Sequence, residues 1–127
     1  MPYRPIDDSL LDRVRSTLAS SRRQHGRFRR DYPLVVTVEG EVDCATAPRL
    51  SADIRAAFGS GARRVRIDLS GTTFMDSSGL HVLVDAAERA RALGRELTIT
   101  CPPGNVRRVI EIAGLEERLP LAGRLAA

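Results

Sequence analysis

The chain contains no lysine and no tryptophan, and all 20 of its basic residues are arginine. Without lysine there is no P-loop. Gly59-Ser60-Gly61 is a glycine cluster, but the lysine that a phosphate-cradling loop requires is missing. Cysteine is almost absent too: Cys44 and Cys101 match no zinc or redox spacing and are read as buried, reduced thiols. No apolar run approaches the roughly 20 residues of a membrane span. Met1 to Ile6 lacks the apolar core of a secretory signal, so a cytoplasmic location is expected. Histidine occurs twice, at His25 and His81, and no G-x-S-x-G elbow surrounds any serine. No D-x-D-x-D loop is present, and no set of ligands converges in the sequence, so neither metal nor cofactor is expected.

What is present is unevenly distributed. Residues 1–31 carry eight arginines against four aspartates, which accounts for the whole formal charge of +4. Residues 32–127 balance at twelve and twelve, so the chain divides into a basic extension and a neutral body. Within the extension Leu10, Leu11, Val14 and Leu18 share one helical face, predicting a helix over roughly 8–22 followed by a basic connector. The extension has no recognition-module motif and only Tyr3, Phe28 and Tyr32 as aromatics. It is therefore read as a solvated tail or docked helix, without direct nucleic-acid or membrane binding.

From Leu34 the periodicity sharpens. Leu34, Val36, Val38, Gly40 and Val42 alternate with Val35, Thr37, Glu39, Glu41 and Asp43, predicting a strand with one wet face. Thr46 is placed to cap a helix bearing Ala47, Leu50, Ile54 and Phe58, which Gly59-Ser60-Gly61 stops. Val65, Ile67 and Leu69 alternate in a second strand, a signature loop follows, and a helix is predicted from about Ser78 to Leu93. Its apolar set is Leu80, Leu83, Ala87 and Ala90, with Val84 beside them. Leu97, Ile99 and Cys101 form a third strand, and Asn105 opens a short helix closed at Gly114. Leu115 to Leu121 reads as a short helix or strand. Strand and helix in strict alternation imply an α/β fold with a mainly parallel sheet, whose functional residues gather at the carboxyl ends of strands. Asp43 and Asp76-Ser77 occupy two such ends and are expected on one rim.

The segment Phe74-Met75-Asp76-Ser77-Ser78-Gly79-Leu80 joins the second strand to its helix and places a carboxylate and two hydroxyls at a helix start. A serine there has three possible roles. As a nucleophile it needs an oriented base, and His81 is one helical turn beyond it, where a helix-surface histidine is the ordinary reading. As a cap, Asp76 or Ser77 would accept from the first-turn amides. As a phosphate acceptor, Ser77 would gain about −1.5 to −2 charge beside Asp76 and Asp43, so a docking partner would meet a hydrated dianion. Residue chemistry alone leaves the cap and the phosphate acceptor both open.

Several blocks resemble, in order, those of the STAS domain family. They are Gly40-Glu41-Val42-Asp43, Ala45 to Leu50, Val65 to Leu69, Phe74 to Leu80, Pro103 to Ile110, Gly114-Leu115, and Leu119-Pro120-Leu121. Within the superfamily the chain is most similar to bacterial anti-sigma-factor antagonists. The resemblance implies a single STAS domain over 32–127, with a mixed, mostly parallel four- to five-stranded sheet covered by helices. It implies a non-catalytic protein that binds an anti-sigma factor of the serine-kinase type and frees a sigma factor by partner switching. Ser77 would be phosphorylated by that kinase and restored by a PP2C-type phosphatase. Asp43, Thr46, Asp76, Ser78, Gly79, Leu80 and His81 would form the partner-binding surface, on a monomer or weak dimer. The alternative is a scaffold subunit of a larger stressosome-like assembly, for which the extension would supply a second interface. Domains of this family also begin with a short strand that pairs with Leu34–Val42, for which Arg27 to Arg30 is the candidate here. The carboxyl-terminal helix is abbreviated, with Ala122 to Ala127 remaining.

Overall fold

The computed structural model describes residues 33–123. The helix expected over 8–22 and the candidate strand at Arg27 to Arg30 lie outside them. Three strands and three helices alternate along the chain: β1 (Leu34–Val42), α1 (Ala47–Gly59), β2 (Arg64–Met75), α2 (Ser77–Leu93), β3 (Glu96–Thr100) and α3 (Asn105–Ile112). The strands lie in the order β1-β2-β3, both pairings parallel. The fold class is the expected one. The strand count is smaller: among the described residues the sheet is wholly parallel and has three strands, extended only by a single bridge from Ile99 to Leu121. That bridge is limited to one residue. Ile99 donates to Pro120 O and accepts from Ala122 N, but Pro120 has no N–H with which to continue a ladder.

Alternation in the sequence becomes burial in the fold. Val36, Val38 and Val42 of β1 point into the core with Val65, Ile67 and Leu69 of β2 and Leu97 and Ile99 of β3. Leu50, Ile54, Ala57 and Phe58 of α1 and Leu80, Leu83, Ala87 and Ala90 of α2 cover them. Val84, expected beside the α2 stripe, is half-buried at its margin. Each such large aliphatic side chain contributes about 1.5–3 kcal/mol by leaving water. The helix α2 closes on Gly94 in the left-handed conformation (φ 66°), whose N–H reaches Ala90 O and Arg91 O while Arg95 N bonds Ala90 O.

The main departure concerns β2. The sequence pattern ends this strand near Leu69 and follows it with a loop, whereas the strand runs on to Met75. Two register shifts explain the difference. Thr37 pairs with Asp68 but Glu39 with Gly71, and Gly40 pairs with Thr72 but Glu41 with Phe74. Each shift inserts one extra residue into β2, so buried positions pass from every second residue to every third, at Leu69, Thr72 and Met75. A pattern search for period two loses the strand at that point. The first irregularity is held by a buried bond in which the Thr72 hydroxyl donates to Val38 O at 2.8 Å. Because β3 pairs only with Arg64–Asp68, the distal half of β2 is left to β1 on one side, and α3 also packs against β2.

Thr72→Val keeps the shape but leaves the Val38 carbonyl without its buried donor. A loss of about 1–3 kcal/mol in urea unfolding is expected. An unchanged midpoint would show that the bond does not hold the bulge.

Candidate functional site

The site grows from the last rung of the β1–β2 ladder. Val42 pairs with Met75, and the next N–H, that of Asp76, donates to Val42 O at 3.1 Å. Asp43 and Asp76, each the first residue past its strand, are thereby brought side by side on one rim. Both aspartates then organise the turn that follows.

At the end of β1 the Asp43 carboxylate folds back. Its Oδ1 accepts from Ala45 N and Thr46 N, each at 3.0 Å, and from the Thr46 hydroxyl at 3.1 Å. The Thr46 hydroxyl in turn accepts from Asp43 N at 2.9 Å, and Ala47 N reaches Asp43 O at 2.8 Å. Thr46 occupies the N-cap position of α1 but makes no side-chain bond to that helix. The expected threonine cap is therefore corrected: the hydroxyl is spent on Asp43, and Pro48, which needs no N–H partner in the first turn, helps α1 begin.

At the end of β2 the cap is Asp76. Its backbone is extended (φ −100°, ψ −171°), and its Oδ1 accepts from Ser78 N at 2.8 Å and Gly79 N at 3.3 Å, while its carbonyl takes Leu80 N at 3.1 Å. Ser77 is thus the first residue of α2 rather than its cap. It is exposed, and no described residue bonds its hydroxyl. The capping role left open for Ser77 belongs to Asp76 alone. Ser78 and Asp76 are half-buried beside it, and His81 stands exposed four residues on.

Gly79 and Leu80 face inward. A Cβ on Gly79 would lie 2.5 Å from Met75 Cγ and 3.0 Å from Val42 Cγ1, so the helix start is pressed onto the ends of both strands. The close approach that this glycine allows is made to the protein's own strand ends. Leu80 is buried in the core. Of the candidate positions, Asp43, Thr46, Asp76, Ser77, Ser78 and His81 are at the surface, and Gly79 and Leu80 hold the first turn beneath them.

Two neighbours were not foreseen as surface residues. Phe74, opposite Glu41 and two positions before the cap, leaves 47% of its surface in water. The signal was its placement next to Met75 in a strand, lost because the strand was ended early. Cys44 is exposed in the turn after Asp43, contrary to the expected buried thiol, whereas Cys101 is buried as expected. Burial raises the Cys101 thiol above its usual range, with Arg107 opposing and Glu111 adding to the effect. Arg107 Nη1 donates to Cys101 O at 2.9 Å, tying α3 to the end of β3. Among the described residues no three metal-ligating side chains converge, and no helix is long and apolar enough to cross a membrane.

Comparison with known proteins places this parallel α/β fold in a family. The model of the STAS domain matches residues 22–127. BtrV of Bordetella bronchiseptica, provisionally named an anti-sigma factor antagonist, is 34% identical over 92 residues, covering 72% of this chain and 79% of its own. The anti-sigma-B factor antagonist of Listeria monocytogenes is 33% identical over 82 residues, covering 65% and 72%. Among solved structures, an anti-sigma factor antagonist from Mycobacterium paratuberculosis superposes with a TM-score of 0.67 at 33% identity, covering 75% of this chain and 80% of that one. The chain belongs to the STAS domain family.

Stability separates the roles of the three motif residues. Asp76→Ala loses the cap and is expected to cost about 0.5–2 kcal/mol. Gly79→Ala is expected to cost about 1–3 kcal/mol by overpacking against Met75 and Val42, although this exchange normally strengthens a helix. Ser77→Ala should stay within about 0.5 kcal/mol of the parent. Denaturant unfolding of the three variants checks the order, and a Ser77→Ala loss as large as that of Asp76→Ala would return the cap to Ser77.

Proposed function

We propose that this protein is a phosphorylation-regulated anti-sigma factor antagonist. It binds an anti-sigma factor of the serine-kinase type, and the sigma factor held by that partner is released. The observation that carries the reading is the exposed Ser77 hydroxyl, left without a structural bond because Asp76 does the capping. The names of the relatives, at 33–34% identity, support an anti-sigma factor as the partner.

The unmodified rim offers hydroxyls, the Asp43 and Asp76 carboxylates already bonded within their own turns, and the exposed Phe74 ring. A partner can cover this surface at modest desolvation cost. A phosphoryl group changes that balance. The amides of Ser78 and Gly79, which would otherwise receive an anion at the helix start, already serve Asp76. The dianion therefore stays outside, beside Asp76 and Asp43, and burying it against a partner would combine desolvation with like-charge repulsion. Removal of the phosphate by a PP2C-type phosphatase restores binding. In this reading Asp43, Thr46, Asp76, Ser78 and His81 touch the partner and Gly79 and Leu80 support them. The protein works in the cytoplasm without catalysis of its own, as a monomer or weak dimer.

Titration calorimetry of the full chain with a candidate anti-sigma kinase tests the reading. Ser77→Ala is expected to bind like the parent without a drop after incubation with kinase and ATP, and Ser77→Asp at least about tenfold more weakly. Equal affinity for Ser77→Asp and Ser77→Ala would defeat the electrostatic switch.

A further inference from the structure

His81 is the one basic side chain in the first three turns of α2, and no hydrogen bond or ion pair ties it to another described residue. It is exposed, four residues after Ser77, on the same helical face. On a helix such pairs have Cβ atoms about 5–6 Å apart, and the side chain of the later residue leans back toward the helix start. Helix geometry thus puts the His81 side chain on the Ser77 side of its turn. We propose that His81 is the counter-ion of a phosphoryl group on Ser77, a positioning residue that holds the dianion against the helix and makes the phosphorylated state sensitive to pH. The inference rests on the proposed role of Ser77.

The surroundings favour this pairing. Two first-turn amides that could take the phosphate, those of Ser78 and Gly79, are occupied by Asp76 Oδ1, which favours a side-chain cation. Among the described residues the charged groups around His81 are few. Asp76 precedes the helix, Asp43 shares the rim, and Asp85 lies one turn behind on α2. From α1, Arg55 lines a groove with Asp85 and Arg89, and Arg49 is paired with Asp53. Farther along α2, Glu88 is paired with Arg118 from the turn after α3. None of these is an arginine one turn from Ser77. The consequence has a definite sign. Protonated, the imidazole neutralises part of the phosphoryl charge; neutral, it leaves the whole charge facing the partner, so the phosphorylated form should repel its partner more strongly as pH rises.

The test uses the full chain with phosphoserine installed at position 77 during synthesis, so no kinase is involved. Proton NMR follows the imidazole signals, with that of His81 assigned by its loss in His81→Gln, and phosphorus NMR follows the phosphate. His81 is expected to titrate about half a pH unit higher in the phosphorylated chain than in the unmodified one. The second ionisation of the phosphoserine is expected to lie lower by a similar amount, and to rise in His81→Gln. Superimposed His81 curves in the two forms, or a phosphoserine titration unmoved by His81→Gln, would overturn the pairing. Either outcome is independent of whether Ser77 phosphorylation governs partner binding, which the calorimetry decides.

Discussion

The hydrogen bond from Asp76 N–H to Val42 O is the contact on which the site depends. It is the rung that closes the β1–β2 ladder after two register shifts, and it sets the ends of both strands level. Without the two extra residues in β2, Asp76 would not arrive opposite the end of β1. The bulges, the Thr72 bond to Val38 and the bare face of Gly79 all serve that alignment. Two aspartates then stand adjacent, each using its carboxylate to start the next segment.

This division of labour frees Ser77. A serine at a helix start is ordinarily explained by capping, and here the cap is demonstrably another residue. A hydroxyl without a structural bond, on a rim with two carboxylates already bonded, suits the proposed modification because a phosphoryl group there displaces no hydrogen bond of the described residues. The cost falls on whatever docks against the rim. The proposed switch thus acts on the interface and spares the domain, and His81 would tune how much of the added charge the partner meets.

Much of this was legible in the residue pattern. The alternation of Val36, Val38 and Val42, and of Val65, Ile67 and Leu69, located two strands and their buried faces. The spacing of Leu80, Leu83, Ala87 and Ala90 located α2. The joint position of Asp43 and Asp76 followed from parallel strand order. What escaped was local and had physical causes. The bulges replaced a two-residue period with a three-residue one, which hid the distal half of β2 and with it the exposure of Phe74. The choice between Asp76 and Ser77 as cap depended on backbone dihedrals that no periodicity encodes. The Thr46 hydroxyl turned to Asp43 rather than to its own helix, a competition between two acceptable partners that spacing cannot decide. Cys44 was read as buried from the general behaviour of thiols, but it falls in a turn beyond the strand, where the core has ended.

The central claim is that Ser77 is free of structural duty on the rim proposed to meet the partner. Thermal unfolding of the full chain carrying phosphoserine at position 77, set beside the unmodified chain, tests it most directly. The account predicts that phosphorylation leaves stability within about 0.5 kcal/mol, as for other surface changes. A loss of about 2 kcal/mol, the scale of a broken helix cap, would contradict it by showing that the hydroxyl holds the fold.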